Sequence, residues 1–206
     1  MPETVAGNLY DFPQYYDLVY GSDWKAEFDF LTACFDLHAD GQVHRLFEPA
    51  CGTGRLLYRF ARAGYETSGL DLNAAAVDYC NQRLERHGYE PSAWVGDMAD
   101  FSLPQPADAA FNTINSFRHL GSEALAAAHL RCMAAAIREG GIYVLGLHLT
   151  PTDGEPVSEE SWPARRGNLA VLSRMWTERR DLRRRAEQVG MSFDVCTATR
   201  RLRIVD

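Results

Sequence analysis

The hydrophobic positions of this chain fall into two periods that take turns along its first 150 residues. Trp24, Phe28, Leu31 and Phe35 are spaced 4, 3 and 4, which predicts the apolar face of a leading helix, with Ser22 as its candidate N-cap. After the turn signal Asp40-Gly41, Val43 to Glu48 reads as a short strand, and Pro49-Ala50-Cys51-Gly52-Thr53-Gly54 as a turn. A helix follows from about Arg55 to Ala63, with Leu57, Phe60 and Ala61 on one face and Gly64 as its stop. Glu66 to Asp71 is the next strand, and Asn73 caps a helix that carries Val77, Cys80 and Leu84 and ends at Gly88. Ala93 to Asp97 and Ala107 to Thr113 are the third and fourth strands. Ser122 to Ile137 is a helix with Ala126, Leu130, Met133 and Ile137 at 4, 3 and 4, and Glu139-Gly140-Gly141 turns the chain into a fifth strand.

That fifth run, Ile142 to His148, is apolar on both faces, as expected of a parallel strand with helices packed above and below it. Strands alternating with helices through right-handed crossovers make a doubly wound, mainly parallel α/β sheet, whose ligands bind beyond the carboxyl ends of the strands. Candidate chemistry is therefore sought at strand ends.

Composition narrows the class. The chain has 206 residues, 46% hydrophobic and 24% charged, which fits a soluble globular protein and excludes a disordered, collagenous or transmembrane one. The net charge of −7 is uneven, with 10 Lys/Arg against 19 Asp/Glu in residues 1–150 and 11 Arg against 9 acids in residues 151–206. An acidic body argues against nucleic acid as the partner. The five cysteines lie at least sixteen residues apart, so no CxxC pair for zinc or redox chemistry is present and no metal site is expected. Reduced thiols, an N-terminus without a charged and apolar leader, and the absence of a long apolar run predict a cytoplasmic protein that does not engage the membrane.

Four strand ends carry candidate chemistry. The first is Glu48-Pro49-Ala50-Cys51-Gly52-Thr53-Gly54-Arg55, in which two glycines let the backbone come against a ligand ahead of a helix N-terminus. The third glycine of a dinucleotide fingerprint is replaced by Leu57, and Glu48 would repel an arriving pyrophosphate, so a positively charged ligand suits this loop better. The second is Asp71 with Leu72, where a carboxylate can accept from both hydroxyls of a ribose. The third is Asp97 with Met98, an acid able to accept from an exocyclic amine. The fourth is Asn112-Thr113-Ile114-Asn115-Ser116-Phe117, whose polar groups emerge at the mouth of the fourth strand.

As a set, FEPACGTGRL, GLDLN and VGDM resemble the class I S-adenosylmethionine-dependent methyltransferases, and among them the small-molecule methyltransferase-domain proteins, over about residues 10–150. The resemblance implies a Rossmann-like fold with S-adenosyl-L-methionine as cofactor. Glu48, Ala50, Cys51, Gly52 and Gly54 would hold its methionine part, Asp71 and Leu72 the ribose side, Asp97 and Met98 the adenine, and Asn112 and Thr113 the methionine amine. A Tyr-rich N-terminal segment closes over the cofactor in many relatives; Tyr10, Tyr15, Tyr16 and Tyr20 are the candidates, with Tyr15 and Tyr16 put forward.

Methyl transfer from a sulfonium is an in-line displacement, so orientation and water exclusion come first and a base is needed only for a protonated amine or a hydroxyl. His119 and His148 are the candidate bases, and each is also readable as an ordinary polar residue at a strand end. Cys51 reads as a packing residue rather than a nucleophile. No Asn/Asp-Pro-Pro-Tyr/Phe or Pro-Cys sequence follows the fourth strand, which disfavours base methylation. A small-molecule acceptor is expected, with Asn115 and Arg118 as candidate contacts; Arg118 is as readily a solvated charge. Two other readings remain: a protein that binds the cofactor but has lost catalysis, acting as a sensor or partner subunit, and an NAD-dependent oxidoreductase.

The tail departs from the family pattern of a further helix and an antiparallel strand pair. Pro151 to Gly167 reads as a loop, Asn168 to Thr177 as a strand, Glu178 to Gln188 as a charged turn or short helix, and Met191 to Thr197 and Arg201 to Val205 as strands. The Arg cluster Arg179, Arg180, Arg183, Arg184 and Arg185, interspersed with acids, reads as a solvated turn. The strands either complete the sheet or form an antiparallel extension that covers substrate; the lack of a long amphipathic helix before Asn168 favours the extension. Residues 1–150 are then a cofactor-binding core with an N-terminal helical cover, and residues 151–206 an antiparallel part of the same structural unit. The fifth strand becomes an open edge, from which a homodimer through the C-terminal strands is expected.

Overall fold

A computed structural model of the chain describes residues 3–148, 159–181, 183–184 and 186–206. In chain order the elements are β1 (Glu3–Ala6), α1 (Pro13–Tyr20), α2 (Lys25–His38), β2 (Arg45–Pro49), α3 (Leu57–Arg62), β3 (Glu66–Asp71), α4 (Ala74–Arg86), β4 (Ala93–Val95), β5 (Ala107–Asn112), α5 (Glu123–Ala136), β6 (Ile137–Leu145), β7 (Glu159–Arg166), β8 (Leu169–Asp181), β9 (Ala186–Cys196) and β10 (Arg201–Val205). Short 3-10 turns stand at Leu9–Asp11 and Ser116–His119. The chain divides into two compact units, Asp23–Leu149 and the pairing of Met1–Ser22 with Thr150–Asp206. The division falls after Ser22 and after Leu149.

In the unit Asp23–Leu149 the strands run in the order β4-β3-β2-β5-β6, with every neighbouring pair parallel. The consecutive β2 residues Leu46 and Phe47 explain why helices cover both faces. Leu46 packs with Leu31, Phe35, Phe60 and Phe111, and Phe47 with Leu70, Met98, Ala110 and Met133, so a period of two delivers apolar side chains to two cores. Every residue of β5 is buried, as its interior place between β2 and β6 requires. Asn73 caps α4 by accepting from the Ala76 N–H at 2.9 Å, and Ser122 caps α5 by accepting from the Leu125 N–H at 3.2 Å. At the start of the sheet Asp108 accepts from the His44 and Arg45 N–H groups at 2.8 and 2.7 Å and from Arg138 at 2.8 Å; these bonds outweigh burial and lower its pKa.

Some local expectations differ from the structure. Ser22 does not cap α2, which begins at Lys25 with Trp24 at the cap position and no side-chain cap; a Lys25–Asp29 ion pair spans its first turn. The predicted turn Glu139-Gly140-Gly141 lies inside β6, where Gly140 takes a φ of 72° in a bulged register. β6 closes one end of the sheet and is only half-buried, so its apolar character overstated its cover.

The other unit is a sheet of order β1-β10-β9-β8-β7, antiparallel except for the parallel pair β1 and β10. The antiparallel extension is therefore present as a sheet of its own, and the alternative of strands completing the parallel sheet does not hold. Within the stretch Pro151 to Gly167, expected as loop, β7 occupies Glu159–Arg166; residues 149–158 lie outside the described residues. Its alternation, with Glu160, Trp162 and Ala164 less exposed than their neighbours, is that of an edge strand, where Pro163 is tolerated. Glu178 to Gln188 is neither turn nor helix over most of its length. β8 and β9 continue as a long hairpin in which Arg180 pairs with Glu187 at 2.9 Å and Gln188 donates to Glu178 at 3.1 Å. Arg185, one of the five clustered arginines, lies outside the described residues. Leu9, Leu18, Val171, Phe193, Val195 and Ile204 form the core of this unit.

Candidate functional site

The loop after β2 is held in an unusual backbone. Ala50, Gly52 and Gly54 have φ of 55°, 53° and 66°, three left-handed residues within five. For Ala50 this costs about 1 kcal/mol, a strain tolerated where the surroundings over-determine the conformation. Gly54 has no alternative, because a Cβ there would stand 2.2 Å from Cys80 Sγ. The loop is tied across the strand ends by Asp71, whose two carboxylate oxygens accept from the Gly52 N–H at 2.8 Å and the Asn73 N–H at 2.9 Å. Burial raises the Asp71 pKa, against the two backbone bonds and the His119 charge. His119, though exposed, thus lies within electrostatic reach of that carboxylate.

Beneath the loop are polar groups that the protein does not satisfy. Glu48 is 7% exposed, and its Oε2 has no hydrogen-bond partner among the described residues. Burial pushes its pKa well up, and the Arg55 guanidinium only partly opposes this. Asn112, 2% exposed, donates through Nδ2 to the Pro49 carbonyl at 3.0 Å, while its buried Oδ1 has no partner among the described residues. Buried polar atoms are nearly always paired, so two orphaned acceptors at adjoining strand ends beside a left-handed loop mark a place for a donor, such as an ammonium group. Cys51, also buried, hydrogen-bonds Cys80 and is screened from water; both effects hold its thiol neutral, which suits packing and not nucleophilic attack.

At the end of β4, Asp97 accepts from the Ala99 N–H at 2.8 Å and forms a tight turn with Asp100. Met98 is buried and its carbonyl accepts from His129 Nδ1 at 2.8 Å. Leu72, beside Asp71, is 69% exposed, an apolar surface next to that carboxylate. Beyond β5, Thr113 is half-buried and Asn115 adopts a φ of 54°. Asn115 and His148, predicted separately, are bonded to one another. Asn115 Oδ1 accepts from the His148 N–H at 2.7 Å, which turns its Nδ2 to donate to His148 Nδ1 at 2.9 Å. The His148 proton is thereby placed on Nε2. Arg118 is exposed in the 3-10 turn, and its backbone N–H bonds the Asn115 carbonyl at 2.9 Å.

Tyr15 and Tyr16 lie in the other unit. Tyr16 packs its ring between Tyr10 and Tyr20 with centroids 5.2 and 4.6 Å away, and Tyr15 stacks on Phe12 at 6.2 Å. Tyr20 hydrogen-bonds Ser173 at 3.0 Å.

Two features escaped the sequence reading. His129, fully buried on α5, donates to the Met98 carbonyl and accepts from the Tyr143 hydroxyl at 2.9 Å; burial lowers its pKa and raises that of Tyr143. Its signal was its place between Ala126 and Met133 on the apolar face. Glu27 on α2 pairs with the Arg55 side chain, and it too stands on an apolar face, three residues after Trp24 and four before Leu31.

A parallel sheet in this order, with an acid at or just beyond each of three successive strand ends and a left-handed loop after its central strand, is a Rossmann-like methyltransferase fold. Residues 46–141 match the family described as methyltransferase domain. Over 140 residues the chain is 31% identical to a dTDP-3-amino-3,6-dideoxy-alpha-D-glucopyranose N,N-dimethyltransferase of Streptomyces fradiae, covering 66% of this chain and 52% of that protein. It is 26% identical over 155 residues to a dTDP-4-amino-2,3,4,6-tetradeoxy-D-glucose N,N-dimethyltransferase of Saccharopolyspora spinosa, covering 69% and 57%. The chain thus spans about half the length of these curated relatives. Among solved structures it resembles DesVI of Streptomyces venezuelae (TM-score 0.82, 21% identity, 97% of this chain and 82% of that one). It also resembles S-adenosylmethionine-bound CalS10, an amino pentose methyltransferase from Micromonospora echinaspora (TM-score 0.74, 22% identity, 100% and 83%). At these identities the likeness is one of fold.

Proposed function

We propose that the site holds S-adenosylmethionine and that the protein transfers its methyl group to the amine of a small amino sugar carried on a nucleoside diphosphate. The observation that carries this reading is the pair of orphaned, buried acceptors, Glu48 Oε2 and Asn112 Oδ1, beside the left-handed loop. They fit the ammonium of an α-amino acid and repel a phosphate. The cofactor supplies an electrophilic methyl carbon on sulfur. Asp71 retains lone pairs for the ribose hydroxyls after its two backbone bonds, and Asp97 with the Met98 backbone receives the adenine. The amino-sugar acceptor follows from the activities of the curated relatives, both of which dimethylate amines of dTDP-linked deoxysugars.

An amine attacks only once deprotonated. His119, exposed and within electrostatic reach of Asp71, is the candidate to take that proton. His148 acts differently, since with its proton on Nε2 it donates to an acceptor oxygen, held in that tautomer by Asn115. Arg118 remains a candidate partner for an anionic group of the acceptor, and Tyr15 and Tyr16 candidates for covering the cofactor. The five free cysteines support a reducing, cytoplasmic setting. Among the described residues no helix is long and apolar enough to cross a membrane. The sheet edges at β7 and β1 support a homodimer through the C-terminal strands, which light scattering of a monodisperse monomer would refute.

The test is incubation with S-adenosylmethionine and a panel of dTDP-linked amino sugars, read by mass spectrometry. One and then two added methyl groups are expected. Cofactor binding without turnover on any amine, hydroxyl or acid would instead support a sensor or partner subunit, and binding of NAD alone would support an oxidoreductase.

A further inference from the structure

Arg55 is placed where a charged residue is hard to explain by folding alone. It follows Gly54 directly, ahead of α3, and its side chain is 10% exposed. Its Nη2 donates to Glu27 Oε2, yet Nη1 and Glu27 Oε1 are both buried and have no partner among the described residues. Glu48 Oε2 is the third orphan, and Glu48 is close enough to feel the charges of Arg55 and Glu27. A buried ion pair made for stability satisfies its remaining hydrogen-bonding positions; this one leaves a donor and an acceptor open.

One orphaned cationic donor beside orphaned acidic acceptors is complementary to a zwitterion. Resting on the cofactor reading above, we infer that the Glu27–Arg55 pair anchors the amino-acid end of the cofactor: Arg55 Nη1 donates to its carboxylate, and Glu27 holds the guanidinium in place. Glu48 and Asn112 take the ammonium. A phosphate-bearing ligand is excluded from the same place, since Glu27, Glu48 and Asp71 set three carboxylates against one guanidinium. Arg55 is a binding residue in this account and Glu27 a positioning residue, and neither was foreseen from the motif that contains Arg55.

The test compares ligands that differ only at that end. Calorimetry on the wild-type protein with S-adenosylmethionine and with its decarboxylated form is expected to show about a tenfold or greater loss for the latter, as for a lost charge-assisted hydrogen bond. In Arg55→Met the two bind alike. Methylthioadenosine, which lacks the amino-acid end, binds Arg55→Met as it binds wild type. Glu27→Gln, which keeps the shape of the partner, is expected to shift S-adenosylmethionine affinity in the same direction as Arg55→Met and leave methylthioadenosine unmoved. Equal binding of the two sulfonium ligands by wild type overturns the proposal. So does an equal loss of all three ligands in Arg55→Met, which marks a role in the loop's structure only. A wild-type protein that binds none of the three fails at the cofactor reading itself.

Discussion

The two units are built from strands of comparable number but on opposite principles. In the unit Asp23–Leu149 a parallel sheet buries both faces, and its strand ends concentrate unpaired polar atoms, left-handed residues and raised carboxyl pKa values around one loop. In the other unit an antiparallel sheet places charges at alternate positions; Arg180–Glu187 at 2.9 Å pairs β8 with β9, and Arg200–Glu3 at 2.7 Å ties the turn before β10 to β1. The contrast teaches where chemistry can be stored. The other sheet also buries unpaired polar atoms, Arg180 Nε and Ser192 Oγ, but within strands; what sets the loop after β2 apart is that unpaired polarity and left-handed backbone coincide there.

That contrast is open to attack by substitution. The largest effect is expected for Gly54→Ala, which forces a Cβ onto Cys80 at a φ of 66°; a loss of about 2–4 kcal/mol in chemical denaturation is predicted, with cofactor affinity lost alongside. A neutral outcome would mean that the loop is soft and the strain argument fails. His129→Leu comes next, because it orphans the Met98 carbonyl and the Tyr143 hydroxyl: about 2–3 kcal/mol is expected. In wild type the lowered His129 pKa makes stability full above the unfolded value of about 6.5 and diminishing as pH falls toward the folded one. That part of the pH dependence disappears in the variant.

Glu48→Gln has the opposite sign. Since the folded pKa is raised, the carboxyl's contribution is intact below its unfolded value of about 4.3 and lost as pH rises through the folded one. The free variant is therefore more stable than wild type near neutral pH, by about 1 kcal/mol, and the gain vanishes in acid. Cofactor binding weakens at the same time; a variant that gained stability and affinity together would contradict the placement of Glu48. Arg200→Ala, in the exposed pair of the antiparallel unit, leaves Tm unchanged within error.

Legibility in the sequence followed the same divide. β3 is found where predicted because its alternation ends at an acid and a capping Asn73, all local signals. Glu48 and Asp71 lie at strand ends, and Asp97 just beyond one, as the local strand and turn signals predict. β1 had no such signal: its partner, β10, lies almost the whole chain away, and Glu3 is opposite Leu202. β7 was masked by Pro163 and its charges, which an edge strand accepts and a central one does not. The turn in Glu178 to Gln188 was overread because Arg and Glu suit a solvated turn and a charged hairpin equally. Arg55 sat within a recognised motif, but its partner Glu27 comes from a distant helix, so only the fold brings the ion pair together.

The account stands on Asp71, which ties the loop to the strand end and is the proposed acceptor for the ribose hydroxyls. Calorimetric titration of S-adenosylmethionine into wild type and Asp71→Ala tests it most directly. Stoichiometric binding to wild type and none to a folded Asp71→Ala is predicted; retained affinity in the variant, or a wild type that takes up NAD and not S-adenosylmethionine, would contradict it.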